Sequence, residues 1–205
     1  DLTYALGQPT AINWLDAQQL HTLEPDLSPV FKRGIWLENE GHIDNRHLLR
    51  LLLAEIRRLG GKCYSHHAVS INTDTQPITL TSSHRDVETQ EFDWVLDCRG
   101  MGAKQQWNGL RGVRGEVLGV QTSEVRLQRP IRLMHPRYKL YIVPKANHHY
   151  VIGATQIESE DMSPVTLQSN LELCSALYTI NPAFAEANIV ELGVNLRPGF
   201  MDNQP

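Results

Sequence analysis

Apolar positions recur most regularly at Leu48, Leu49, Leu52, Leu53, Ile56 and Leu59. That spacing, close to 3.6 residues, predicts an amphipathic helix running to about residue 59. Asp44 or Asn45 supplies its N-cap, Arg57 and Arg58 fall in its last turn, and Gly60-Gly61 ends it. A shorter helix bearing Leu20 and Leu23 is predicted after Asp16, an N-cap residue, and Pro25 stops it. Between the two, Gly34-Ile35-Trp36-Leu37 reads as a strand and Gly41-His42-Ile43-Asp44 as a turn.

Beyond the Gly-Gly exit the period drops toward two. Lys62-Cys63-Tyr64-Ser65 is expected as a short strand, Ile78-Thr79-Leu80-Thr81 and Thr89-Gln90-Glu91-Phe92 as a small antiparallel meander, and Asp93–Cys98 as a buried strand. After Val113 the alternating segments lengthen: 115–120, a hairpin of 138–143 with 150–154 across Lys145-Ala146-Asn147-His148, and 189–196. Ser163-Pro164 is expected to open a helix reaching about Thr179, ahead of Asn181-Pro182. The pattern is mixed α and β, with a change of sheet near residue 110.

The length of 205 residues suits one or two domains. Nineteen basic against 23 acidic residues, net charge -4, leave no basic face for nucleic acid. No apolar run approaches the ~18 residues of a membrane span. Three widely spaced cysteines, Cys63, Cys98 and Cys174, suggest neither a disulfide framework nor a zinc knuckle. With no leader pattern in the opening residues, a cytoplasmic protein is expected. The chain opens at Asp1 without an initiator Met and stops without a capping element, which suits a fragment of a longer protein.

Few residues advertise chemistry. Gly100-Met101-Gly102 follows a predicted strand, but Gln105 stands where a dinucleotide fingerprint needs Gly or Ala. The pairs His66-His67 and His148-His149 point to opposite faces of an extended chain, so no metal site is expected. No G-x-S-x-G elbow occurs. Arg197 is more informative. It ends an apolar strand directly before Pro198, which favours extended backbone and removes the next ladder donor. Its guanidinium at a sheet edge or mouth can grip a carboxylate, or simply serve a surface salt bridge. Tyr141, on a long strand, offers a second anchor or a half-buried sheet tyrosine.

Four segments stand in order along the chain: Arg111-Gly112-Val113-Arg114-Gly115-Glu116, 135–145, Val151-Ile152-Gly153-Ala154-Thr155-Gln156-Ile157-Glu158, and Leu196-Arg197-Pro198-Gly199. Together they resemble the FAD-dependent D-amino-acid oxidase superfamily, nearest its glycine oxidase branch associated with thiamine biosynthesis. The stretch from Trp14 to Val69 is similar too. The resemblance implies that Arg197 binds the substrate carboxylate, that Tyr141 lines the substrate pocket, and that the Val69 backbone meets the adenine side of FAD. The segment Cys98-Arg99-Gly100 stands where the family has small residues, so direct cofactor contact at Cys98 and Arg99 is not expected.

The fold implied is α+β: a large, mostly antiparallel substrate-domain sheet with flanking helices, plus remnant strands of an α/β flavin-binding domain. Residues 1–60 and 111–205 fall to the substrate domain and 61–110 to the flavin domain. The N-terminal dinucleotide fingerprint and the C-terminal flavin segment are absent from the chain. The function implied for the parent enzyme is oxidative deamination of glycine or a small D-amino acid, with hydride transfer to FAD and no catalytic side chain. FAD is expected in the parent and not in this chain alone. A small amino acid is the expected ligand and a homo-oligomer the expected assembly. A D-amino-acid dehydrogenase, a sarcosine-type oxidase and a non-catalytic ligand-binding or assembly domain stand as alternatives.

Overall fold

The computed structural model describes residues 12–72, 74, 78–82, 88–134 and 139–201. The chain divides into two compact units, one formed by 1–42 with 104–205 and the other by 43–103. The predicted helix near residue 50, grouped by sequence with residues 1–60, therefore falls in the second unit.

The first unit opens with an antiparallel pair, β1 (Ile12–Asp16) and β2 (Arg33–Leu37), with Trp14 opposite Ile35. Helix α1 (Ala17–Leu23) lies between them in sequence. The Asp16 carboxylate accepts from the Gln19 amide at 2.8 Å, and the Gln19 side chain accepts from the Asp16 amide at 3.0 Å, a reciprocal capping box. A Cβ at Gly34 would stand 2.9 Å from a Leu20 methyl, so the bare backbone of β2 lets the helix pack closely.

The second unit holds α2 (Asn45–Arg58), capped by Asp44, whose carboxylate accepts from the His47 amide at 2.9 Å. Gly60, with φ +85, turns the chain out of it. A three-stranded antiparallel meander follows: β3 (Val69–Asn72), β4 (Ile78–Ser82) and β5 (Glu88–Phe92). The segments Lys62–Ser65 and Asp93–Cys98 are not strands. Neither has a ladder partner among the described residues, and Trp94 and Leu96 are exposed rather than buried.

The main body of the first unit is a five-stranded antiparallel sheet in the order β10-β6-β9-β8-β7. Its strands are β6 (Arg111–Gln121), β7 (Ile131–Met134), β8 (Lys139–Lys145), β9 (His149–Gly153) and β10 (Asn188–Gly199). Residues 135–138, which open one resembling segment and the predicted hairpin, lie outside the described residues. Helix α3 (Leu167–Ile180) covers one face. It begins three residues later than the Ser-Pro signal suggests, because Thr166 caps it through the Ser169 amide while Ser163 binds Asp161. Leu173, Ala176, Leu177 and Ile180 of α3 pack with Leu118, Val120, Ile142 and Ile152 of the sheet. Mixed helix and strand with antiparallel sheets is the architecture expected from the sequence.

Candidate functional site

Strand alternation sorts the sheet into two faces. On β6 the residues Gly112, Arg114, Glu116, Leu118 and Val120 are buried, while Arg111, Val113, Gly115 and Val117 between them are half-buried. The second set looks away from α3. Register then assigns the neighbours. Tyr141 pairs with Gly153, Gly153 with Val117, and Val117 with Gly193. Arg197 pairs with Val113, four residues along β6 from Val117. Tyr141 and Arg197 thus project from the same open face.

The glycines in that row shape its floor. A Cβ on Gly153 would lie 2.6 Å from a Val117 methyl and 3.0 Å from the Tyr141 hydroxyl. A Cβ on Gly193 would lie 2.9 Å from the other Val117 methyl. Only bare backbone there lets the Tyr141 ring reach across β9. The Tyr141 and Arg197 backbones are three strand spacings of about 4.8 Å apart across the sheet, and four residues of about 3.3 Å along it. The Tyr141 ring, reaching over β9, narrows that gap.

Hydrogen-bond accounting separates Arg197 from the other arginines of the sheet. Arg111 is ion-paired with Glu158, Arg132 with Glu40, and the buried Arg114 with Glu116. Among the described residues, neither the exposed Arg197 guanidinium nor the Tyr141 hydroxyl has a partner. A guanidinium and a hydroxyl, both unsatisfied above one floor, are suited to a carboxylate.

The opposite face of β6 is closed by charge. Arg114 donates to Glu116 and to the carbonyls of Asp161 and Pro164, the last at 2.9 Å, which ties down the connection from β9 to α3. Glu160 accepts from the Gly112 amide at 2.8 Å and from Lys104. The Lys104 ammonium, then the Gly112 amide, hold the Glu160 carboxyl below the usual carboxylate range. Ser163 does the same for Asp161 through its hydroxyl and amide. The β6 motif was legible in sequence, but the role of Arg114 was not; its signal is a charged pair at i,i+2 on the buried side of an alternating strand.

Val69 belongs to the other unit, at the start of β3, where it is exposed. Its carbonyl accepts from Arg99 at 3.5 Å, a long contact, while Arg99 spends its other donors on Asp97 at 2.7 and 2.8 Å. The chain's sequence contains no glycine-rich cradle for a pyrophosphate. Among the described residues no group of three or more His, Cys, Asp or Glu could hold a metal ion, and no helix is long and apolar enough to cross a membrane. A cavity of about 430 Å³ lies elsewhere, lined by Val120, Cys174, Tyr178 and Ile189 among others. It has no charged wall to receive a carboxylate, and burial pushes the Cys174 thiol up.

Comparison with known proteins places the chain in a family and its fold among solved structures. The family described as FAD dependent oxidoreductase matches residues 2–205. A Rhizobium etli protein bearing the name of a thiamine biosynthesis oxidoreductase is 39% identical over 192 residues, covering 94% of this chain and 54% of that protein. The chain thus spans about half the length of that relative. Glycine oxidase from Bacillus cereus superposes with a TM-score of 0.83 at 23% identity, covering 100% of this chain and 58% of the other. L-Proline dehydrogenase from P. horikoshii superposes equally well, TM-score 0.82 at 11% identity, over 100% and 57%. The fold is therefore shared by proteins named for different substrates.

Proposed function

The chain belongs to the FAD dependent oxidoreductase family, and on that premise we propose that its parent enzyme oxidises glycine or a small D-amino acid in a step linked to thiamine biosynthesis. The observation that carries this reading is the pair of polar heads, Arg197 and Tyr141, on the open face of the five-stranded sheet, neither with a partner among the described residues. Arg197 grips the substrate carboxylate through two parallel N–H donors, and Tyr141 donates its hydroxyl to the same end. Gly153 and Gly193 keep the floor low, so that the carbon bearing the amine stands clear of the sheet. FAD, when bound, supplies the acceptor for the hydride leaving that carbon. The protein's task is positioning, which accounts for a site without a side-chain nucleophile. Released imine is hydrolysed by water to the oxo acid and ammonia.

Val69 contributes a backbone contact to the adenine side, and residues 61–110 belong to the flavin-binding part of the parent. Without a pyrophosphate cradle at a helix N-terminus, the 205-residue chain alone binds FAD weakly. The parent works as a homo-oligomer in the cytoplasm. The 39% identical relative, by its name, supports the link to thiamine biosynthesis, and the glycine oxidase likeness supports the small substrate.

The test is oxygen uptake and dye reduction by the full-length parent with glycine, sarcosine, D-alanine and L-proline. Turnover of glycine or D-alanine with oxygen uptake is expected. Turnover of L-proline alone, or of none of the four, would overturn the reading.

A further inference from the structure

The open face carries a second arginine. Arg111 lies on β6 opposite Gly199, two residues from Val113, the partner of Arg197. Arg111 and Arg197 are therefore diagonal neighbours on one face, a relation that puts side-chain origins about 7–8 Å apart. Two cations so placed would hold two carboxylates as readily as one.

Glu158 prevents this. Beyond the end of β9 the chain returns to β6 through a single bridge, Ile157 opposite Arg114, with both backbone hydrogen bonds at 2.9 Å. Ile157 thereby takes the side of Arg114, and Glu158, in the bend that follows, reaches Arg111 on the open side. Its carboxylate is paired with Arg111, and its side chain is 72% exposed against 21% for Arg111, so the acid lies outermost over the cation. The Glu160 contact to the Gly112 amide and the Arg114 contacts to Asp161 and Pro164 hold this loop in register.

We propose that Arg111 is a second carboxylate-binding position beside Arg197, and that Glu158 covers it and so confines the site to monocarboxylic amino acids. The inference rests on the reading of Arg197 as the carboxylate anchor. Glu158 is then a specificity-determining residue acting through Arg111, by repelling a second anion as well as by occupying its cation.

The test compares glycine with D-aspartate in the full-length parent carrying Glu158→Gln, Arg111→Ala, or both. Glu158→Gln is expected to raise kcat/KM for D-aspartate relative to glycine about 1.5- to fivefold, the range for removing one exposed ion-pair partner. The gain should appear in KM, and succinate should become a correspondingly better competitive inhibitor. Adding Arg111→Ala should abolish both gains, which a merely structural role for Glu158 would not produce. An unchanged ratio in Glu158→Gln, or a gain that survives Arg111→Ala, overturns the proposal while leaving Arg197 as anchor. A parent that oxidises no amino acid overturns the underlying reading, and this one with it.

Discussion

The five-stranded sheet and the 43–103 unit are both written in apolar residues, and they differ in what covers those residues. In the first, α3 lies over the sheet, and Leu118, Val125, Ile142, Ile152 and Leu173 are fully sequestered from water. In the second, Leu49, Leu52 and Ile56 of α2 and its C-cap Leu59 are exposed, as are Trp94 and Leu96, and among the described residues only Ala103 is buried. Amphipathic pattern is the same device in both, but it stabilises only where a complementary face is present. The chain spans about half the length of the relatives it matches, 54% of one and 58% of another.

The largest expected effect tests that contrast directly. Ile152→Ala in this chain should cost about 2–5 kcal/mol in urea unfolding, the range for emptying a packed site. Leu52→Ala in α2 should cost less than about 1 kcal/mol in the same chain, because its side chain is already half in water. In the full-length parent the two costs should converge. Equal costs in the 205-residue chain would break the comparison. A second effect follows from the uncovered face: the chain should self-associate with rising concentration in sedimentation, and Leu49→Glu with Leu59→Lys should suppress it. A monomer at every concentration would count against an exposed apolar stripe.

What could be read from the sequence tracks the same division. Helix α2 and its Asp44 cap, the capped α1, the β8–β9 hairpin and the last strand follow from local periodicity and punctuation, which act over a few residues. Strand β7 did not, since Ile131–Met134 is four residues long and Pro130 precedes it. Lys62–Ser65 and Asp93–Cys98 read as strands by pattern, yet a strand exists only through a ladder partner, and none is present among the described residues. Tyr141 and Arg197 were nameable from their segments. Their shared face was not, because it depends on the register of four strands. Glu158 was visible only as the end of a motif; its side of the sheet depends on the one-residue shift between the β6–β9 pairing and the Ile157 bridge.

Smaller effects sharpen the contrast further. Asp44→Ala should cost the second unit about 0.5–2 kcal/mol, read as lost helical circular dichroism, with the five-stranded sheet unaffected. The smallest effect concerns the acidic loop. Glu160 and Asp161 have folded-state values held below the usual carboxylate range, so their anchoring contribution is complete above that range. It is lost as pH falls from there through the depressed values. Amide exchange over 157–164 should quicken in that acid window before the core strands respond. Exchange that quickens only on raising the pH above neutrality, after correction for the intrinsic rate, would contradict the sign.

The central claim is that the open sheet face presents Arg197 to a substrate carboxylate, and steady-state kinetics of Arg197→Ala in the full-length parent test it most directly. Losing a charge-assisted pair and leaving the substrate carboxylate without its partner costs on the order of 2–5 kcal/mol. The KM for glycine should therefore rise tens-fold or more, with the flavin spectrum retained, and Arg197→Lys should restore only part of the loss. Glycine kinetics unchanged in Arg197→Ala would contradict the account.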